Sequence, residues 1–291
     1  MVLTLLLGLA AAGELNLSMS ADDFVLTADT ERGVKRVMGR MFAAYDGELG
    51  LTYPNRTAMR VRLIENRAAY DAAARGIGVT QPTLGFFSTR TGEGVVWRNT
   101  SESEMRATLV HEASHFLMAR GGAIYAPRWL HEGMATLFGH ARLAGNAVYL
   151  DPPAGIGRVL QGMNDAIPEV EVLLGNPRAW AQIPATASHG PADYSVGWAI
   201  CAFLMRNDRG KAVLAELLKT RPGPAMVAVV AKRWPGGLRA FDQAWRRWWA
   251  NPQSIQLPIR AATKPVDGGW IRCDNGTLIR ADSGMECPKR L

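Results

Sequence analysis

Cysteine is scarce in this chain, which has 3 cysteines among 291 residues. Cys201 lies in the apolar stretch GWAICAFLM, where a small buried hydrophobic residue is the simplest interpretation. Cys273 and Cys287 bracket a Gly/Asp/Asn-rich segment of the tail and could pair as a disulfide if the chain is exported, with two free thiols as the alternative. No spacing resembles a zinc-binding CxxC pair, so a cysteine site of that type is excluded.

Clustered positive charge is also missing, although the formal net charge is +7. The basic residues are mostly arginines, and they are scattered, with no run of five. Nucleic-acid-binding surfaces are typically basic clusters with interleaved aromatic residues. The sequence therefore predicts no nucleic-acid partner, and the charge is interpreted as solvated surface charge.

Long apolar runs are absent after the N-terminus, since no segment reaches the roughly 18 unbroken apolar residues of a membrane-spanning helix. Residues 1–13 form a shorter apolar run with three small residues, Ala10–Ala12, near its end. This run resembles a secretory signal peptide although no Lys or Arg precedes it, and a first buried strand or helix is the alternative. The sequence predicts an exported protein, periplasmic or secreted, with no transmembrane anchor in the mature chain.

The order of apolar patterns predicts an α+β fold, because strands dominate the first half and helices follow. Nearly half of the residues are hydrophobic, which allows a sizeable core. Residues 22–150 are predicted as a subdomain with a small sheet, including a strand starting in DDFVLTADT (22–30), the alternating strand AMRVRLIEN and the hairpin TLGFFSTRTGEGVVWRN. The side chains of Val95, Val96 and Trp97 in the hairpin strand GVVWRN are most simply sheet core, but the strand is also a candidate sheet edge that could bind an extended peptide through its backbone. Residues 151–250 are predicted as a helical subdomain, and 251–291 as a tail with an Asn-Gly hairpin.

A His-Glu-x-x-His motif occupies positions 111–115 on a predicted helix. Ser101 and Glu104 form a capping box that starts this helix, and Gly121 follows its end. His111 and His115 are four residues apart, so they share one face of the helix and both imidazoles can reach one ion. Glu112 is turned away from that face and suits a general base acting on a metal-bound water. An ordinary helix with satisfied polar side chains is the alternative, but histidines among apolar neighbours need polar partners.

A third ligand is expected, because catalytic zinc sites usually have three protein ligands. The next predicted helix, APRWLHEGMATLFGHARL, begins at Pro127 and offers His131, Glu132 and His140. Glu132 would complete a His₂Glu shell, while His131 points about 100° away from it, so the two are not expected to bind one ion. The metzincin pattern is excluded because position 121 is glycine rather than histidine.

The segments TLVHEASHFL and APRWLHEGMATLF resemble the gluzincin metallopeptidases of the peptidase MA-like superfamily. Within it, they are most similar to a bacterial family of unknown function that carries HExxH followed by P-x-W-L-x-E-G-x-A. The resemblance extends more weakly over about residues 22–250. It implies a zincin-like fold, with a small mixed sheet, an active-site helix and a helical C-terminal half.

The same resemblance implies roles for individual residues. His111, His115 and Glu132 would be the ligands of Zn²⁺, and Glu112 would be the catalytic base. Related chains often carry an acidic residue four positions after the ligand glutamate, where this chain has Thr136. The groups that orient the ligands are therefore expected to differ here.

Tyr194, in ADYSVGWAI, is the candidate for stabilising the oxyanion beside the metal, and family chains resemble this segment. The alternative for Tyr194 is a core tyrosine, and His189 is a second candidate. The predicted function is an exported zinc-dependent metallohydrolase, a peptidase acting on a peptide or protein substrate. The alternatives are a non-catalytic zinc-stabilised binding module and a zinc amidase acting on a non-peptide, cell-wall amide.

Overall fold

The computed structural model describes residues 14–54, 56–80, 82–88, 91–98, 101–145, 147–186 and 190–257, and the backbone of three short strands between 265 and 280. The predicted signal peptide (1–13), His189, Cys273 and Cys287 lie outside the described residues. The fold is α+β, as the sequence predicts. The elements up to residue 150 are β1 (Glu14–Asp22), α1 (Ala28–Ala43), β2 (Arg56–Ile64), α2 (Arg67–Gly76), β3 (Gly85–Ser88), β4 (Glu93–Trp97), α3 (Glu102–Arg120), α4 (Arg128–Gly139), β5 (Ala141–Ala144) and β6 (Ala147–Leu150).

The remaining elements are mostly helical, as predicted for residues 151–250. They are α5 (Ile156–Gly162), α6 (Val170–Gly175), α7 (Ala192–Met205), α8 (Asp208–Leu217), α9 (Pro224–Arg233), α10 (Gly237–Trp249), β7 (Ile255–Leu257), β8 (Pro265–Val266), β9 (Trp270–Arg272) and β10 (Leu278–Arg280). In the tail, β9 and β10 form an antiparallel pair, and the Asn-Gly turn predicted between them lies outside the described residues. Among the described residues, no helix combines the length and apolar character needed to cross a membrane.

The main sheet has four strands in the order β1-β2-β4-β3. The first three are parallel, and β3 is antiparallel to β4. The prediction of a first strand from residue 22 is wrong, because Asp22 is the last residue of β1 and Ala28 already begins α1. The alternating segment LNLSMSA forms the strand instead, and its apolar side chains pack against the core.

The hairpin β3–β4 is confirmed, but the predicted edge is wrong. Strand β4, which contains GVVW, lies between β2 and β3, and Val95 and Val96 are buried. An apolar strand of this kind suits an interior position because both of its faces are covered. The edge strands are β1 and β3, and β3 packs against helix α3.

Helices α3 and α4 connect the main sheet to α7 through a series of packing contacts. Helix α3 packs on β3 and β4 on one side and on α4 on another, and α4 packs on α7. The Ser101 hydroxyl accepts the backbone N–H of Glu104 at 3.4 Å, which confirms the predicted N-cap, and α3 ends before Gly121. One continuous apolar core runs from Val34 to Leu257, so side chains from 22–150 and 151–250 pack together.

A second sheet, β5-β6-β7, was not predicted. The predicted helix APRWLHEGMATLFGHARL ends at Gly139, and Ala141–Ala144 pair with β6 as an antiparallel strand. Strand β7, from the predicted tail, also pairs with β6. Backbone hydrogen bonds between β7 and β6 therefore join the start of the tail to the rest of the protein.

Candidate metal centre

Two successive turns of helix α3 place His111 and His115 side by side. Their Nε2 atoms are 3.2 Å apart, and the rings are nearly perpendicular, at 81°. Next to His115, the buried hydroxyl of Ser114 forms a hydrogen bond of 2.6 Å with the buried hydroxyl of Tyr45. Tyr45 lies in a π-helical turn that follows α1. This bond helps to fix the rotation of α3, so both imidazoles face α4.

Helix α4 supplies the third donor atom. The Oε2 atom of Glu132 lies 3.4 Å from Nε2 of His111 and 3.5 Å from Nε2 of His115. The three donor atoms lie within 4.8 Å of one another and could hold a metal ion. The three side chains are 15–22% exposed, which leaves the group accessible from solvent. Among the described residues, the buried Glu132 Oε2 has no hydrogen-bond partner.

The carboxylate of Glu132 and the imidazole of His115 favour one another's charged forms. Burial alone would raise the pKa of the Glu132 carboxyl, but the two neighbouring imidazoles outweigh burial and hold this pKa well below its usual range. Burial alone would lower the pKa of His115, but Glu132 and Glu112 outweigh it and raise that pKa. The arrangement therefore favours an ionised carboxylate facing the two rings.

Glu112 lies beside this group but is not one of its three donors. Burial raises the pKa of the Glu112 carboxyl, and the nearby His111 and His115 offset part of this rise. Strand β3 passes close to Glu112: a Cβ atom on Gly85 would lie 2.9 Å from Cγ of Glu112 and 2.7 Å from Cγ2 of Thr108. Glycine at position 85 therefore lets the edge strand approach the carboxylate.

An open cleft of about 720 Å³ runs past the group. Its walls come from residues 83–85, α3, the end of α4, residues 153–156 and the start of α7. His111, Glu112 and Tyr194 all face this cleft. The cleft therefore brings part of strand β3 and the Glu112 side chain to one open surface.

Tyr194 stands in the first turn of α7 and stacks on His111. The two rings are almost parallel, at 6°, with centroids 5.9 Å apart. Burial and the negative charge of Glu132 raise the pKa of Tyr194 to about 12. A tyrosine is protonated near neutral pH in any case, and the raised pKa keeps this phenol a hydrogen-bond donor into more alkaline conditions.

A close crossing of α4 and α7 brings Tyr194 to the histidines. A Cβ atom on Gly133 would lie 2.5 Å from the carbonyl carbon of Gly197, and a Cβ on Gly197 would lie 2.5 Å from the carbonyl oxygen of Trp129. Only glycine fits at both positions, so the two backbones touch directly. Gly133 follows Glu132, and Gly197 is one turn after Tyr194; sequence reasoning assigned neither glycine a role.

Other sequence candidates lie near the group without joining it. The ring of His131 is 6.0 Å from that of His115, but His131 is hydrogen-bonded to the backbone of Ala123, and burial lowers its pKa. His140 lines the cleft at the end of α4 and is not among the three donors. Thr136 also lines the cleft, and its buried hydroxyl has no hydrogen-bond partner among the described residues.

Sequence reasoning missed an ion pair beside the group. The Nε atom of Arg128 is 3.2 Å from Oδ2 of Asp193 and 3.9 Å from Oε1 of Glu132. Arg128 therefore connects the first turn of α4 to the first turn of α7. In the sequence, Asp193 stands directly before the candidate residue Tyr194, which was a hint that it lies near the site. Its ion pair with Arg128 could not be predicted, because it depends on how α4 and α7 cross.

Comparison with known proteins assigns no family to this chain. No model of a known protein family matches the chain, and no curated protein sequence matches it. The functional interpretation therefore rests on the motif and on the geometry of the site.

Proposed function

We propose that this protein is a zinc-dependent metallohydrolase with a zincin-like fold, and that it cleaves peptide bonds. One observation carries the proposal. Ligand atoms about 2.0–2.1 Å from a tetrahedral zinc ion are roughly 3.3–3.4 Å apart. The three donor atoms of His111, His115 and Glu132 are separated by 3.2, 3.4 and 3.5 Å. The triangle thus has the size of one face of a zinc coordination tetrahedron.

The polarity of the site also fits a cation. A buried carboxylate oxygen without a hydrogen-bond partner is unfavourable unless another group compensates it. The Glu132 Oε2 atom makes no well-aligned hydrogen bond among the described residues, although the two imidazole nitrogens that lower the pKa of its carboxyl lie 3.4 and 3.5 Å away. A bound zinc ion would satisfy all three donor atoms, and His₂Glu is a ligand set found in catalytic zinc sites.

The surrounding residues suit hydrolysis. Zinc in such a site lowers the pKa of a bound water towards 7 and polarises a carbonyl group. Glu112 would accept the proton of that water and return a proton to the leaving amine, and its raised pKa favours this exchange. The Tyr194 hydroxyl, which stays protonated near neutral pH, would donate a hydrogen bond to the developing oxyanion.

The fold gives an extended substrate a place to bind. Strand β3 is the edge strand of the main sheet that lies beside the site, and Gly85 lies against Glu112. An edge strand can pair with an extended peptide through backbone hydrogen bonds. A peptide held in this way would run along the cleft past the proposed base. Export to the periplasm or the medium is proposed on the N-terminal apolar run alone.

A non-catalytic zinc-binding module is the second candidate, and Thr136 is the observation that favours it. The position where related chains often have an acid carries a hydroxyl without a partner among the described residues. Ligands that lack such support are less firmly oriented. Zinc binding would then persist without turnover.

Zinc content and peptide hydrolysis, measured together, test the proposal. We expect one zinc per chain and cleavage of a quenched-fluorescence peptide library. Glu112→Gln should keep the zinc and lose hydrolysis by about a thousandfold or more, because it removes the proton acceptor. His115→Ala should lose the zinc itself. Glu171→Gln, an exposed change on α6, is the control and should alter neither quantity.

The outcomes separate the candidates. Zinc binding without cleavage of any library peptide in the wild type would favour the binding module. Turnover of cell-wall amides alone would favour an amidase. Wild-type protein that holds no zinc after incubation with the metal would contradict both the peptidase and the module.

A further inference from the structure

A second cleft, of about 470 Å³, lies at the far end of helix α7 from the metal centre. Arg206 follows α7 directly, twelve residues after Tyr194, which corresponds to about 18 Å along a helix. The cleft is formed where α7 ends, α8 begins and α9 and α10 pack beside them. It is lined by Phe203, Arg206, Asn207, Arg209, Trp234, Ala244 and Arg247.

The charges in this cleft have one sign. Its three charged lining residues, Arg206, Arg209 and Arg247, are all arginines. No described carboxylate forms an ion pair with any of them, although many other arginines of the chain are paired. Burial lowers the pKa of Arg206, and no neighbouring acid opposes this effect. All three side chains are exposed, so water screens their mutual repulsion, and together they give the cleft a positive potential that favours an anion.

Helix stability explains two of these arginines but not the third. Arg206 and Arg247 stand at the C-terminal ends of α7 and α10, where the helix dipole favours a cation. Arg209 stands in the first turn of α8, where the same dipole disfavours a cation. Arg209 therefore gains nothing from the dipole of its own helix, and its exposed side chain is free to bind a ligand.

Aromatic rings line the cleft and hold one guanidinium in place. The guanidinium carbon of Arg206 lies 4.6 Å from the ring centre of Phe203 and 5.5 Å from that of Trp248. Trp234 packs in turn against Phe203 in a tilted arrangement, with ring centres 5.3 Å apart. A guanidinium held in this way loses less freedom when it binds an anion. The half-buried Trp234 also offers apolar surface to the rest of a ligand.

We propose that Arg206, Arg209 and Arg247, here named the arginine cleft, bind a phosphoryl group, as a phosphate monoester or diester. Guanidinium groups pair with phosphate oxygens through two parallel hydrogen bonds. Several arginines can surround a tetrahedral anion, whereas the two oxygens of a carboxylate occupy a single guanidinium fork. A free phosphate ester and a lipid headgroup share this chemistry. The inference is independent of the metal centre.

The test uses the full chain and a double variant, Arg209→Gln/Arg247→Gln. Arg206 is left intact because it packs on aromatic rings. The control, Arg56→Gln/Arg75→Gln, removes the same charge from exposed positions on β2 and α2. Binding of inorganic phosphate and glycerol 1-phosphate is measured by calorimetry, and binding to phosphatidylglycerol vesicles by sedimentation. Circular dichroism checks that each variant folds, with Arg209→Gln alone as the milder substitution.

We expect wild type and control to bind glycerol 1-phosphate equally, and the double variant to bind it at least about tenfold more weakly. Vesicle binding that exceeds binding of the soluble ester, and is lost in the same variant, would identify a lipid headgroup as the source. Equal losses in control and double variant would show that net charge alone attracts the anion, and would overturn the proposal. Absence of wild-type binding to both the soluble esters and the vesicles would overturn it as well.

Discussion

Tyr194 combines two properties that suit an oxyanion donor. Its ring lies parallel to His111, which fixes its orientation, and its pKa of about 12 keeps the hydroxyl protonated. Tyr194→Phe keeps the ring and removes only the hydroxyl. We expect kcat/KM for the cleaved peptide to fall by about 10²–10³-fold, the range for losing one oxyanion donor, while the zinc content stays the same.

The control for this change is Tyr125→Phe, in the loop between α3 and α4, where 48% of the residue is exposed. It should leave both kcat/KM and zinc content unchanged. If Tyr194→Phe retained full activity, Tyr194 would be only a packing residue, which is the alternative that its half-buried position leaves open.

At the scale of single residues, contacts between residues close in the sequence could be predicted, and contacts between distant residues could not. The pairing of His111 with His115 was predictable because four residues make one helical turn, whatever the rest of the fold does. The place of Glu132 followed from the resemblance and from the short connection between two helices. The Arg128–Asp193 pair was not predictable, because its partners lie on α4 and α7 and meet only through the packing of these helices.

At the scale of elements, the crossing of α4 and α7 at Gly133 and Gly197 is the feature on which the site depends. Gly133→Ala would place a methyl group 2.5 Å from the Gly197 carbonyl carbon, so the helices would have to separate. We expect a loss of about 1–3 kcal/mol in unfolding free energy, as for overpacked cores. Zinc affinity should fall too, since Glu132 would move with its helix.

A glycine in open space provides the matched control. Gly39 lies inside α1, and a Cβ there would have no atom within 4 Å apart from its own helix. Gly39→Ala should raise the unfolding free energy by about 0.5–1 kcal/mol, because alanine has less backbone freedom in the unfolded chain. Urea unfolding and zinc competition with a fluorescent chelator measure both variants. If Gly133→Ala matched Gly39→Ala in both, the close crossing would not control the site.

Elements were predicted where local patterns matched the tertiary structure. Strand β2, helix α2 and the hairpin β3–β4 have clear periodicity and turn residues, and the structure confirms them. Strand β1 was missed because it has few of the β-branched and aromatic residues that are typical of strands. Strand β5 was read as the end of α4, since its residues favour helices, and pairing with β6 overrides that preference. The order of strands in a sheet is non-local, so the edge was misassigned.

At the scale of the whole molecule, the candidate metal centre lies where two layers of the fold meet. Helix α3 packs on the sheet, whereas α4 packs on α7 and leads into the helical half. The proposed ligands come from both helices, so a zinc ion would connect the two layers across the core. The unfolded chain does not hold these three donors together, and zinc would therefore stabilise the native state by its binding free energy.

Zinc should consequently raise the melting temperature of the apoprotein. At a free zinc concentration about a thousandfold above Kd, the gain is roughly 4 kcal/mol, which corresponds to several degrees or more for a chain of this size. Differential scanning fluorimetry after chelation, with and without added zinc, measures the shift. Magnesium is the control ion, because it prefers an all-oxygen octahedral shell and should not bind two imidazoles.

His115→Ala serves as the control chain, since it removes one donor and leaves the other two on separate helices. Its melting temperature should not respond to zinc. An equal rise in melting temperature in wild type and His115→Ala would mean that zinc binds elsewhere in the protein. No rise in either chain would contradict the proposed metal centre. A rise confined to chains with all three donors would show that metal binding and the packing of α3 on α4 are coupled, because the ion is bound only while the two layers stay together.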